Sequence, residues 1–385
     1  VKFIVLDLTT GKIRNTPVVY LSTYLEDHGC TQVLEKPDNE FYLIIGCIQL
    51  MRWYNNSHTY KDIEIINDVK NNKAGLILTT NVDSFGLLPV VHRERDPGGY
   101  YNNITKYNIV ENVNIGCDSL GIDSKSVIYI DTNYKIHDLF KKHGLSAFWN
   151  NIFEKLMPPI DLNTIIQDIK NKKDREKKFL YLGGKGRIHR LPFVNELLKI
   201  PDFKNDSFLS TGGGNFIDFF TKEQKCIDDI VLDIEDIRDI PENLCLANNN
   251  YHVKSYVNII PMSYFYLDHT HLEINEKLFK PIINFQPFLI LGQIGTLRVM
   301  HQLGYKTFDN WIDESYDTTM NDDERFIKVL NEVKRISKMS TIELNDMLLD
   351  MLPTLEYNAN LHRTRYLQKD YSILDRILNK FNQSR

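Results

Sequence analysis

Glycines and cations crowd one short stretch of the chain, Gly183-Gly184-Lys185-Gly186-Arg187-Ile188-His189-Arg190. It follows an apolar run, 179–182, and opens an amphipathic one. Glycines after a strand let the backbone approach a ligand closely, and the helix that follows offers unpaired N–H groups. Lys185, Arg187 and Arg190 add positive charge at the same edge, so a diphosphate would gain from all three effects. The same residues also make an ordinary basic turn. Neither G-x-x-x-x-G-K-[ST] nor G-x-G-x-x-G occurs in this stretch.

A second group is Glu276-Lys277, with Lys280 one turn on. It reads as a surface helix pair or as a carboxylate for a ribose diol beside a phosphate-binding lysine; Glu273 competes for the carboxylate role. A third is Gly292-Gln293-Ile294-Gly295-Thr296, where Gly295 either brings backbone to a ligand or simply starts a helix. In the first half, Asp83 ends a strand and His92 lies in H-R-E-R. Either suits a general base, and each is also an ordinary turn or loop residue.

Strand–turn–helix units must position these groups. Apolar runs at 2–8, 41–48, 74–80 and 127–131 predict strands, with a helix over 17–27. A charged connector over 160–178 reads as a solvated face or linker. The pattern then restarts with a strand at 179–182 and a helix over 189–199. Further strands are predicted at 207–210, 230–232, 257–261 and 287–291, and helices from Thr296, over 322–338 and over 341–352. Pro353 is read as an interruption, and a last helix spans 371–381. Strands alternating with helices imply parallel, doubly wound sheets.

The 385 residues suit two domains. The expected units are 1–170, 171–355 and a C-terminal helical segment, 356–385, packing back on the first. A formal net charge of −5 gives no general pull toward phosphate backbones. The five cysteines are scattered without a C-x-x-C pair, which argues against disulfide and zinc frameworks. No apolar run is long enough to span a membrane, and the opening V-K-F-I-V-L-D-L reads as a strand, not a secretion signal. A cytoplasmic protein is expected, in the host cytoplasm if the source is viral. Hydrolase, zinc-enzyme and kinase signatures are missing, as is a D-x-D directly after an apolar strand.

The run E-K-L-F-K-P-I … P-F-L-I-L-G … G-T-L … L-G-Y-K-T-F … D-E-S-Y-D resembles glycosyltransferase-like proteins of phages and large viruses. Its first part is similar to the donor-binding segment of α1,3-fucosyltransferases and other GT-B enzymes. F-L-Y-L-G-G-K-G-R-I-H-R-L-P-F resembles the element that opens their second domain. The resemblance covers mainly residues 179–317. It implies an α/β fold of GT-B type, with two Rossmann-like domains facing a cleft. It also implies transfer from a nucleotide-sugar donor to a glycan, protein or modified DNA base, with no metal and no other cofactor. By position, Glu276 would hold the ribose, and Arg187, Arg190 and Lys277 would meet the diphosphate. The first domain would supply the base. Gly183-Gly184 replaces an Asn-Arg type of pair, which leaves Lys185 and Arg187 open as the main phosphate contact. A DNA glycosyltransferase acting on hydroxymethylated pyrimidines and a non-catalytic nucleotide-sugar-binding protein are the alternatives.

Overall fold

A computed structural model describes residues 1–7, 25–26, 29–37, 40–48, 64–80, 109–131, 133–149, 154, 157–184, 186–230, 249–266, 272–368 and 372–382. Six strands come first: Lys2–Asp7 (β1), Thr31–Gln32 (β2), Tyr42–Ile48 (β3), Ala74–Thr80 (β4), Ile128–Asp131 (β5) and Ser146–Trp149 (β6). They form one parallel sheet in the order β2-β1-β3-β4-β5-β6. Helices Glu64–Lys70 (α1), Ile109–Leu120 (α2) and Ile136–Lys141 (α3) accompany it.

After helix Asn163–Lys170 (α4), strands Lys177–Leu182 (β7), Ser207–Ser210 (β8), Ser255–Pro261 (β11) and Phe288–Leu291 (β12) form a second parallel sheet, ordered β12-β11-β7-β8. An antiparallel hairpin, Gly214–Ile217 (β9) and Gln224–Ile227 (β10), is inserted after β8. The helices are Arg190–Leu197 (α5), Asn249–Val253 (α6), Glu276–Ile283 (α7), Thr296–Gln302 (α8), Asp322–Ser337 (α9), Thr341–Leu367 (α10) and Ser372–Asn382 (α11). The protein is thus α/β with two parallel sheets, each carrying its own helices.

Parallel strands read as continuous apolar runs because both faces are covered. On the first sheet, Ile4, Leu6, Ile44, Leu76 and Leu78 belong to a buried cluster with Val113 and Cys117 of α2 and Phe140 of α3. The opposite face, with Phe3, Val5, Leu43, Ile45 and Ile77, shares a cluster with Leu374, Ile377 and Phe381 of α11. Gly75 in β4 makes room for that helix: a Cβ there would lie 2.6 Å from Phe381 Cε2. The Arg376 guanidinium sits 4.2 Å from the centroid of the Phe148 ring in β6.

Two expectations need correcting. The helix predicted to break at Pro353 runs through it as α10. Proline removes one i−4 hydrogen bond, but Leu348, Met351, Leu352 and Leu355 are all buried around it and hold the helical path. The start of α10 is also fixed, by a reciprocal Ser340–Glu343 capping box. The charged connector is not simply a solvated linker. Arg175 donates from Nη1 to Ser255 O at 2.6 Å, and Lys178 Nζ donates to Ser337 O at 2.8 Å. Part of the charge run therefore fastens the connector to the second sheet. The helix expected over 17–27 and the strand expected over 230–232 lie mostly outside the described residues.

Candidate functional site

In the second sheet the chain moves from β7 outward to β8, then returns to the other side of β7 as β11. The crevice outside the carboxyl ends of β7 and β11 is therefore a topological switch point, where open parallel sheets bind ligands. Two segments leave the sheet there, Gly183–Arg187 after β7 and Met262–Tyr266 after β11. Gly184 has φ +56°, and a Cβ on Gly186 would stand 2.7 Å from Gly213 O. Only glycine lets this turn press against the Gly212–Gly214 backbone. Lys185 lies outside the described residues.

Three arginines gather around this edge. Arg190 is 3% exposed and donates from Nε to Met262 O at 3.2 Å. Its Nη2 donates to Pro261 O and Met262 O, both at 2.8 Å, and its Nη1 to Gly183 O. Carbonyls at the ends of two parallel strands satisfy the buried charge. Arg190, expected as a diphosphate contact, builds the rim of the crevice: these donors are engaged with the backbone. Arg325, which the sequence did not single out, does the same one strand over. It donates to Gly292 O at 3.2 Å, Thr319 O at 3.0 Å and Phe265 O at 2.5 Å, and it pairs with Asp322.

Arg187 stands nearer the mouth. Its Nη1 donates to Ser263 O at 2.9 Å, and its guanidinium lies 5.9 Å from the Tyr264 ring centroid. The buried His189 ring stacks on Phe265 and has Nε2 3.0 Å from Met262 O, so Nε2 carries the proton and donates. Burial first, then Arg190, Arg187 and Arg325, hold its pKa well below the ordinary value. His189 is neutral, and it senses all three guanidinium charges. An edge that concentrates cations in this way attracts an anion.

The helix α7 leaves the same edge, because it follows β11. The Asn275 side chain caps it by accepting the Lys277 N–H at 3.1 Å. Glu276 occupies the first turn and is ion-paired with Lys277. Burial alone would raise the Glu276 pKa, but Lys277 and Lys280 outweigh it and lower it. Glu276 is therefore an ionised acceptor held beside a lysine.

The start of α8 is different. The Asp317 carboxylate accepts the Leu297 N–H at 3.0 Å and the Arg298 N–H at 3.1 Å, while Asp317 O accepts the Gly295 N–H at 2.9 Å. The chain's own carboxylate occupies the position an anion would take. Gly295, with φ +84°, serves as the turn into the helix. The D-E-S-Y-D end of the long motif thereby acquires a role. Besides Asp317, the Tyr316 hydroxyl accepts the Ile290 N–H on the outer side of β12, and Glu314 accepts the Phe308 N–H at 2.7 Å.

Asp83 and His92 lie outside the described residues. The first sheet meets the second unit just after β5: Tyr134 N donates to Leu272 O at 2.8 Å, and Leu272 N donates to Asn133 Oδ1 at 2.9 Å. An isolated antiparallel bridge joins Asn133 to Glu273. The carboxyl end of β5 is thus tied to the segment that enters α7. Glu273, the other candidate carboxylate, is 2% exposed and accepts from Asn275 Nδ2 at this seam. No protein-family model matches this chain, and no curated protein matches it.

Proposed function

We propose that the protein is a metal-independent glycosyltransferase of GT-B type, moving a sugar from a nucleotide-sugar donor to an acceptor hydroxyl. One observation carries the reading: Arg187 and Arg190 stand at the β7–β11 switch point, Arg187 the less buried of the two, with Arg325 one strand over. A nucleoside diphosphate leaves with developing negative charge, and fixed cations and backbone donors at that position stabilise its departure. In this reading Arg187 meets the diphosphate, Arg190 and Arg325 fix the rim and add field, and Glu276 accepts from the ribose diol with Lys277 beside it. A base from the first unit, for which Asp83 and His92 are the sequence candidates, takes the proton from the acceptor hydroxyl as it attacks the anomeric carbon.

The test is calorimetric titration with a panel of nucleotide-sugars, followed by donor hydrolysis and transfer assays. Saturable binding with turnover supports the proposal. Binding without turnover toward any acceptor favours a nucleotide-sugar-binding protein, and failure to bind every donor sinks both readings. Glu276→Ala should weaken donor binding by about tenfold; unchanged affinity removes Glu276 from the ribose role.

A further inference from the structure

Beneath the glycine turn, Tyr181 of β7 is fully buried, yet its hydroxyl makes no hydrogen bond among the described residues. Buried hydroxyls almost always find a partner, so an unpaired one calls for an explanation. Its direction supplies one. Gly183 is two residues on and faces the same side of the strand. A Cβ at Gly183 would stand 2.8 Å from Tyr181 Cε1 and 3.0 Å from Thr211 Oγ1. Cε1 adjoins the carbon that carries the hydroxyl. The ring therefore leans along β7 toward its carboxyl end, into space that only a glycine leaves free. The phenol also feels the charge of Arg190, whose Nη1 is bonded to Gly183 O.

We propose that Tyr181 is a ligand-recognition residue of this crevice, its hydroxyl donating to an acceptor oxygen of the bound anion. On the reading above, which this inference extends, that oxygen belongs to the donor's diphosphate. The hydroxyl is a neutral donor that needs no counterion, and the neighbouring Arg190 has the donors described above committed to carbonyls. An anion entering the crevice would give Tyr181 the partner it lacks, and the glycine at 183 is what lets the ring lean toward that edge. An ordered water is the other source of an acceptor oxygen, and the two sources predict different behaviour on removal of the hydroxyl.

The experiment compares wild type, Tyr181→Phe and Tyr256→Phe. The Tyr256 hydroxyl is the contrast: it donates to Asn345 Oδ1 at 2.8 Å and accepts the Arg175 N–H at 3.1 Å. Each protein is unfolded by denaturant without ligand and titrated with uridine diphosphate, guanosine diphosphate and inorganic pyrophosphate. The expected result is that Tyr181→Phe unfolds at the same or a higher midpoint than wild type and binds the preferred probe about tenfold more weakly. Tyr256→Phe should unfold earlier and bind as wild type does. Destabilisation of Tyr181→Phe comparable to that of Tyr256→Phe means that the hydroxyl is already satisfied by water, and overturns the proposal. Unreduced probe affinity in Tyr181→Phe overturns it while leaving the nucleotide-sugar reading standing. Absence of binding by wild type overturns that reading and this one with it.

Discussion

The carboxylate of Asp317 holds the backbone N–H of Leu297 at 3.0 Å across 20 residues of sequence. One side chain thus closes the start of α8 and ties the D-E-S-Y-D turn to it. Asp317→Ala should lower stability by about 0.5–2 kcal/mol, the usual cost of a lost helix cap. Asp317→Asn should recover part of that loss, since its amide oxygen still accepts one of the two N–H groups. Denaturant unfolding of both variants checks the ordering. Equal stability of Asp317→Ala and wild type would remove the capping role.

Arg187 and Arg190 should separate cleanly in the same assays. Arg190→Ala strips donors from the carbonyls of Gly183, Pro261 and Met262, and should cost about 2–5 kcal/mol of stability. Arg187→Ala should cost less than 1 kcal/mol and lower the affinity for a nucleoside diphosphate by about tenfold or more. Paired unfolding and calorimetry read both effects. A variant of Arg187 that binds normally would shift the phosphate role away from it.

Glu314 gives a pH prediction with a definite sign. Burial, with Asp309 and Asp317 adding to it, raises its carboxyl to about 7. The folded protein therefore holds a proton that the unfolded chain releases near 4.5. Stability contributed by this group is fully present at low pH and is lost as pH rises through that window, by at most about 3 kcal/mol. Asp317, also raised chiefly by burial, acts in the same direction. Glu314→Gln should flatten the decline between pH 5 and pH 7, measured as unfolding free energy against pH. A slope unaltered by the substitution would assign the effect elsewhere.

Gly75 and Phe381 predict a steric effect. Gly75→Ala places a methyl within 2.6 Å of the Phe381 ring and should destabilise by about 1–3 kcal/mol through overpacking. Adding Phe381→Leu should relieve part of that cost. Double-mutant unfolding data measure the coupling, and strict additivity would mean that α11 does not seat on β4 as described.

The strands were the readable part of the sequence, because fully covered parallel strands announce themselves as apolar runs. Ala74–Thr80 and Ser207–Ser210 are observed over the residues expected, and β11 and β12 begin or end within two residues of expectation. The restart after the charged connector was also visible. Side-chain roles at the edge were much less so. Arg190 looked like a phosphate contact because its partners lie 71 and 72 residues away, and no local pattern reveals them. Gly295 and Asp317 had the same difficulty in smaller measure: a glycine that starts a helix is visible, but the carboxylate that fills the helix end is not. Arg325 stands in D-D-E-R, where a surface ion pair is the obvious local explanation. The D-D-E of the first turn does favour the helix dipole, but the carbonyls that bury the arginine come from three other segments. The short strands β2 and β6 and the β9–β10 hairpin carry too little periodicity to stand out, and none was expected.

The seating of Phe381 against Gly75 has a consequence for the order of synthesis. A ribosome makes the first sheet early, and domains commonly fold as they emerge. Here one apolar face of that sheet is closed by residues 374–381, which emerge after the whole second sheet. Until then Phe3, Val5, Leu43 and Ile77 lack the α11 side chains with which they share a buried cluster. The core of the first sheet is therefore completed only when the last helix arrives, so that sheet cannot reach its final packing before the second sheet has been made.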